Sequence, residues 1–231
     1  MRSGVLFDFD DTLVETTVHF NRAKVRFARI MTGLGFPAEE ALETLNQFDI
    51  KNVQLCGGFL KECFPRALGE TYEHYCKISG KDYSQALRKE IEDLGWWVYE
   101  QPARPIPGAE EVLGALHGRF PLFLVTKGDP VVQTDRVEKS GLSRWFEKVY
   151  VLADKNVLAY RNIASERRIR PPASWVVGNS MKSDINPALK AGFQCIYIHH
   201  PHTWDYEDEE PVGGHVSVDR ITDVLKVVGH V

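Results

Sequence analysis

The sequence predicts an α/β fold: a Rossmann-like parallel sheet core flanked by helices, with an inserted α-helical domain. Three observations carry that reading. Short apolar runs of strand length alternate with helical patterns from Pro102 onward, which is the signature of βαβ units and a parallel sheet. Val5, Leu6 and Phe7 form a further apolar run near the start, and it reads as a buried strand. Between these lies a stretch from residue 16 to 101 with helical patterns and no convincing strand. Connections after a strand in such folds are typically about 2–6 residues long, so this stretch reads as a domain in its own right. The expected division is a core of residues 1–15 and 102–231 and a helical insert of residues 16–101.

After Leu13 the pattern turns helical, and Val14 to Met31 mixes apolar and basic residues without proline or glycine. Gly33-Leu34-Gly35-Phe36-Pro37 breaks it. Ala38 to Gln47 reads as a second helix, and Gly57-Gly58 marks a loop. Phe59 to Leu68, Glu70 to Ile78 and Tyr83 to Leu94 read as three more helices. The proline-rich stretch Pro102 to Gly108 is a stiff return linker, and Ala109 to His117 a helix. Pro121 to Val125 is a buried strand ending at Thr126. Asp129 before Pro130 then starts a helix, as cap and first turn, and Gly141 ends it. Lys148 to Leu152 is the next strand, followed by a helix from Val157 to Arg168. Trp175 to Val177 is a strand ending at Gly178, with a helix from Asp184 to Ala191. Cys195 to Ile198 and Val216 to Val218 are further strands, the second at an edge, and Asp219 to Val228 closes the chain as a helix.

Composition narrows the function classes. At 231 residues the chain is long enough to bury a sizeable core. Hydrophobic content of 43% and charged content of 26% are those of an ordinary globular protein. A net charge of −4 gives no reason to expect a nucleic-acid partner. No apolar run approaches the roughly 20 residues that span a bilayer, so no membrane partner is expected. The N-terminus enters a strand directly and leaves no room for a secretory signal, which points to the cytoplasm. Cys56, Cys63, Cys76 and Cys195 form no Cys-x-x-Cys pair, which argues against structural zinc. The preferred reading is buried, reduced thiols, with a disulfide among the first three left open.

The chemistry gathers at the ends of the expected strands. Asp8, Asp10 and Asp11 follow the first strand at once, and then Thr12. Carboxylates beside a dry core are costly unless something compensates their charge. The compensating group for such hard oxygens is a cation, and they suit magnesium (Mg2+). Ligands of open α/β sheets bind in the crevice beyond the carboxyl ends of the strands. Asp8 and Asp10 are two apart, so on extended chain both point to one side. Close carboxylates push each other's pKa values apart, so one can be ionised while the other carries a proton. Thr126, Lys127 and Gly128 end the second expected strand, and a hydroxyl with free amides at a helix entrance is a phosphate cradle.

Asp8–Thr12 resembles the Asp-x-Asp-x-Thr motif of the haloacid-dehalogenase-like superfamily, phosphatase type. Thr126 matches the second motif of that family, a Thr or Ser at a strand end. Lys155, in Ala153-Asp154-Lys155, matches the basic third motif, with Arg161 a poorer alternative. Gly178-Asn179-Ser180-Met181-Lys182-Ser183-Asp184 resembles the fourth motif, Gly-Asp-x-x-x-x-Asp, with Asn179 in place of its first acid. The helical insert falls where the family carries its cap domain. The resemblance implies a magnesium-dependent phosphatase acting on a small phosphorylated metabolite. Asp8 would be the nucleophile that forms an aspartyl-phosphate, and Asp10 the general acid and base, its carbonyl helping to hold the metal. Thr126, Lys127 and Lys155 would hold the phosphate. Asp184 would be a direct magnesium ligand, and Asn179 a ligand through its amide oxygen or through a metal-bound water. Two rivals stand beside this reading: a 2-haloacid dehalogenase-type hydrolase of the same fold, and a non-catalytic phospho-ligand-binding protein. A monomer or homodimer is expected.

Three further stretches are weighed. His199-His200-Pro201-His202 lacks regular metal-ligand spacing and reads as an exposed loop. Trp204 to Glu210 carries five acids and reads as a solvated surface loop. Trp96-Trp97 reads as core or hinge packing.

Overall fold

A computed structural model describes residues 2–228 of the chain. The chain forms two compact units, Met1–Thr17 with Pro102–Val231, and Val18–Gln101. In order, the elements are β1 (Val5–Phe7), α1 (Thr17–Gly33), α2 (Ala38–Cys56), α3 (Cys63–Ser79) and α4 (Gln85–Tyr99). Then come α5 (Ala109–Leu116), β2 (Leu122–Lys127), α6 (Pro130–Lys139), β3 (Lys148–Leu152) and α7 (Val157–Arg167). The last are β4 (Trp175–Gly178), α8 (Asn186–Lys190), β5 (Gln194–Ile198), β6 (Val216–Val218) and α9 (Val224–Val228).

Among the described residues the strands form one parallel sheet in the order β3-β2-β1-β4-β5-β6. Strand order reverses at β1, which pairs with β2 on one side (Val5 opposite Leu122) and β4 on the other (Val5 opposite Trp175). The crevice beyond Phe7 is thus a topological switch point, where open α/β sheets bind ligands. β1 is buried on both faces because the sheet carries a core on each. Val5 and Phe7 pack with Leu124, Val177 and Ile196 and with α5 and α9. Leu6 packs with Phe123, Val125 and Val176 and with α7 and α8 on the other side. Side chains alternate along a strand, so a strand covered on both faces is apolar throughout.

The unit Val18–Gln101 has a separate core, in which Ala23, Phe27 and Met31 form a stripe at helical spacing on α1. The sequence reads a break near Gly69, but α3 runs through it without interruption. A Cβ at Gly69 would overlap the Glu92 side chain, and one at Gly95 would lie 2.6 Å from Pro65 Cα. These two glycines let α3 and α4 approach closely, so Gly69 is a packing residue and not a helix breaker. Trp97 packs edge-on to His19 at 6.3 Å and beneath the Arg26 guanidinium at 5.6 Å, which is packing within this unit. All four cysteines are free thiols, and Cys56 is exposed, contrary to the buried thiols expected.

Two element boundaries shift for local reasons. α1 starts at Thr17 and not Val14, because Val14 pairs with Pro105 in an antiparallel bridge. The helix expected from Asp184 is preceded by a π-helical turn, Met181–Ile185, in which the Ile185 amide donates to the Ser180 carbonyl at 3.1 Å. No helix among the described residues is long and apolar enough to cross a membrane.

Candidate active site

β1 ends at Phe7, and the Asp8 amide still donates to the Val177 carbonyl of β4 at 2.9 Å. The chain then turns tightly. Asp11 adopts φ 58°, a left-handed conformation that Asp tolerates better than most residues. Its carboxylate accepts from the amides of Thr16 and Thr17, each at 2.9 Å, and from the Thr17 hydroxyl at 2.6 Å. Asp11 therefore ties down the start of α1, and the third carboxylate of the motif is structural.

Asp8 and Asp184 share one cation. Lys155 Nζ donates to Asp8 Oδ1 and, at 2.7 Å, to Asp184 Oδ1, and all three side chains are buried. Burial, and then the Asp184 charge, push Asp8 up to about 7 against the pull of Lys155. Burial alone would lower the Lys155 ammonium, but Asp184 and Asp8 overcome it and hold the ammonium well above its ordinary value. Asp184 reaches Lys155 because the π-helical turn folds its carboxyl back over Gly178, where a Cβ would overlap it. Its second oxygen accepts from the Ser180 amide at 3.0 Å. Both oxygens of the Asp184 expected to ligate magnesium thus face Lys155 and Ser180.

Asn179 stands on the other side of Asp8. With its amide nitrogen turned to them, it faces Asp8 Oδ2, the Asp10 carbonyl and Thr12 Oγ1, each at 3.1 Å. Magnesium takes oxygen ligands at about 2.1 Å, so neighbouring ligands lie about 3 Å apart. With the amide rotated, Asn179 Oδ1 would stand at that spacing from Asp8 Oδ2 and from the Asp10 carbonyl, and all three are hard oxygens. Among the described residues no three His, Cys, Asp or Glu side chains converge as a metal-binding group. A fit to magnesium therefore rests on one carboxylate, one carbonyl and one amide, next to a buried cluster with two carboxylates and one ammonium. That surplus negative charge is what a cation relieves.

Asp10 is held by the residues of α6. Arg136 Nη1 donates to Asp10 Oδ1, which also accepts from the Thr16 hydroxyl at 2.7 Å. Gln133 Nε2 donates at 2.6 Å both to Asp10 Oδ2 and to Thr126 Oγ1. Burial would raise Asp10, but Arg136, Thr16 and Gln133 outweigh it and hold the carboxyl below its ordinary range. Thr126 itself is fully buried at the end of β2.

The chain matches the family model of haloacid dehalogenase-like hydrolases over residues 5–198. It belongs to that family. Glyceraldehyde 3-phosphate phosphatase of Methanothermobacter thermautotrophicus is 23% identical over 240 residues, spanning 98% of each chain. Among solved structures, a haloacid dehalogenase-like hydrolase from Xanthomonas campestris superposes with TM-score 0.80 at 24% identity, over 99% of this chain and 91% of that one. L-2-haloacid dehalogenase from Xanthobacter autotrophicus superposes with TM-score 0.68 at 16% identity, over 99% of both. The last two likenesses concern the fold.

In this hydrolase the structure brings together Asp8, Lys155 and Asp184, sets Asn179 against Asp8 and Asp10, and links Asp10 to Thr126. It turns Lys127 elsewhere. Lys127 Nζ donates to Ser183 Oγ at 2.6 Å and Glu207 Oε1 at 2.8 Å. Lys127, expected at the phosphate, here stands on Ser183 and Glu207, and within the expected solvated loop Trp204 to Glu210 the acids Asp205, Asp208, Glu209 and Glu210 are exposed while Glu207 is not. Glu207 is largely buried, and its other oxygen accepts from the Ser180 hydroxyl at 2.6 Å. Lys127 holds its carboxyl below the ordinary range against the effect of burial. Lys182 sits over the Tyr206 ring, and Asn186 donates to Glu209 at 2.8 Å. The acidic loop is thus docked on the turn that carries Asp184. His200 lies 3.8 Å from Asp11 and forms no metal-binding group among the described residues. Gln133, Arg136 and Glu207 were not singled out from the sequence. Gln133 and Arg136 are three apart on the helix that follows Thr126, so they share a face, and that spacing was their available signal.

Proposed function

We propose that this hydrolase is a magnesium-dependent phosphatase that cleaves a small phosphorylated metabolite through an aspartyl-phosphate on Asp8. The observation that carries the reading is Asp8 itself. It is a buried carboxylate at the switch point, with one oxygen on Lys155 and the other 3.1 Å from the Asn179 carboxamide, which also faces the Asp10 carbonyl. The full-length likeness to a glyceraldehyde 3-phosphate phosphatase supports a phosphate ester as substrate. Asp8 Oδ2, the Asp10 carbonyl and Asn179 would hold the metal, which supplies charge neutralisation across the phosphoryl oxygens.

An Asp8 oxygen attacks phosphorus, and the bond from phosphorus to the ester oxygen breaks. The leaving oxygen takes a proton from Asp10. A water molecule then attacks the phosphorus of the aspartyl-phosphate and gives its proton to Asp10, freeing Asp8 and inorganic phosphate. Lys155 and the Thr126 hydroxyl hold the transferred group, whose charge is met by groups already in place. Arg136 and the Thr16 hydroxyl hold the Asp10 carboxyl below its ordinary range, which suits the base of the second step; the proton it gives in the first step is one taken up from solvent, and the attacking water restores it. The helical unit Val18–Gln101 is the part of the chain we assign to substrate selection.

The deciding assay uses p-nitrophenyl phosphate with and without magnesium, together with Asp8→Asn. Turnover should need the metal, and the variant should retain less than about one per cent of it, given the usual cost of removing a nucleophile. Halide release from a 2-haloacid in place of phosphate release would favour the dehalogenase reading. Phosphate binding without turnover would favour a binding protein.

A further inference from the structure

α6 begins four residues after Thr126, capped by Asp129, whose carboxylate accepts from the amides of Val131 and Val132. The capped start fixes which residues of the next turn face β2 and the switch point. Gln133 is one, and its side chain is almost fully buried. Its amide nitrogen has two protons, and both are used: one on Thr126 Oγ1 and one on Asp10 Oδ2, each at 2.6 Å. Its carbonyl oxygen accepts from Arg136 Nη1 at 2.9 Å. The same guanidinium donates to Asp10 Oδ1 and, at 2.8 Å, to the Thr16 hydroxyl.

We propose that Gln133, steadied by Arg136, is a positioning residue that couples the phosphate-holding hydroxyl of Thr126 to the acid–base carboxylate of Asp10. The inference rests on the phosphatase reading and deepens it. A hydroxyl that accepts from Gln133 keeps its own proton for a phosphoryl oxygen, so the amide fixes which way Thr126 donates. The second proton of the same amide fixes the plane of the Asp10 carboxylate, whose other oxygen is held by Thr16 and Arg136. One buried planar group therefore sets two atoms that must act on the same phosphoryl group: the donor to a phosphoryl oxygen and the proton carrier for the leaving oxygen. Misplacement by about 1 Å in such an arrangement costs on the order of 100-fold in rate.

The test uses the full chain. Gln133→Met keeps the length and shape of the side chain while removing both donors. Gln133→Glu keeps the acceptor toward Arg136 and removes the donors by another route. For wild type and both variants, kcat and KM are measured on p-nitrophenyl phosphate and on an alkyl phosphate, inorganic phosphate affinity is measured by calorimetry, and melting temperature is recorded. We expect both variants to bind inorganic phosphate more weakly. We also expect kcat to fall at least tenfold further on the alkyl ester, whose leaving oxygen needs a proton, than on the aryl ester. Arg136→Lys, which keeps the charge but not the fork, should fall between wild type and Gln133→Met. Equal losses on both esters with unchanged phosphate affinity in folded protein would reduce Gln133 to a packing residue and overturn the coupling alone. A wild-type protein inert on both esters would overturn the phosphatase reading and the coupling with it.

Discussion

Asn179 is the residue where this chain departs from the motif it otherwise follows, and its surroundings give that departure a testable meaning. Its carboxamide faces two oxygens that only accept, on Asp8 and on the Asp10 backbone. An amide donates to both, which an aspartate cannot do. An aspartate there would face the same oxygens with a second negative charge. Asn179→Asp should therefore lower the melting temperature in chelator and recover it when magnesium is added. It should also lower the magnesium concentration for half-maximal activity, by about 10-fold if it follows typical outer-shell changes. An unchanged melting temperature in chelator, and an unchanged magnesium requirement, would take residue 179 away from the metal. Asp8, Asp10, Thr126, Lys155 and Asn179 are legible in the sequence because each lies at or just beyond a strand end, and strand ends can be read from apolar runs. Gln133 and Arg136 are not, because a polar residue on one helix face looks the same whether it meets water or a buried carboxylate. Glu207 escapes notice for a related reason. A run of acids reads as solvated, and only the tertiary fold shows that one of them is buried against a lysine.

At the scale of elements, the strands follow their apolar runs closely, since β1, β2, β4 and β5 are covered on both faces or nearly so, while the edge strand β3 is half-exposed. The helices are less legible where a glycine has two meanings. Gly57 ends α2 in a left-handed conformation at φ 69°, whereas Gly69 sits inside α3 because α4 passes against it. α2 also carries a misplaced charge. Burial pushes Asp49 up to about 7 from an ordinary value of 3.8, with Lys24 offsetting part of the effect. The sign follows from linkage. The folded unit binds this proton more tightly than the unfolded chain, so the stability it contributes is present below about pH 4 and is lost as pH rises through 7. Asp49→Asn should match wild type near pH 4 and be more stable near pH 8. The gain should be of the order of 2 kcal/mol, because each tenfold in proton affinity is worth about 1.4 kcal/mol and solvent screens part of it. Melting curves at the two pH values check this, and a variant less stable than wild type at pH 8 would mean that the Asp49 charge is compensated in the fold.

At the scale of the whole molecule, the question is whether the two units are separable. The unit that carries Asp8 has a core on each face of its sheet, and the inserted unit has a third core of its own. The chain leaves and re-enters the first unit through two segments that pair with each other inside it. Val14 bridges Pro105 in antiparallel fashion, the Glu15 amide donates to the Arg104 carbonyl at 2.9 Å, and the Ile106 amide donates to the Leu13 carbonyl at 2.8 Å. The two ends are therefore held side by side by hydrogen bonds that do not involve residues 18–101. Such a junction tolerates removal of what lies beyond it, because the backbone on both sides keeps its partners. Replacing Val18–Gln101 by a short glycine–serine linker from Thr17 to Pro102 should leave a protein that melts in one cooperative transition. The groups around Asp8 all come from the retained unit, so turnover of p-nitrophenyl phosphate should survive, at a reduced rate. Discrimination within a panel of phosphorylated metabolites should collapse, since the part of the chain assigned to selection is gone. Aggregation or absence of a melting transition would show that the first unit does not stand alone. A folded, active protein with the discrimination of the full chain would place substrate selection on residues 1–17 and 102–231 instead.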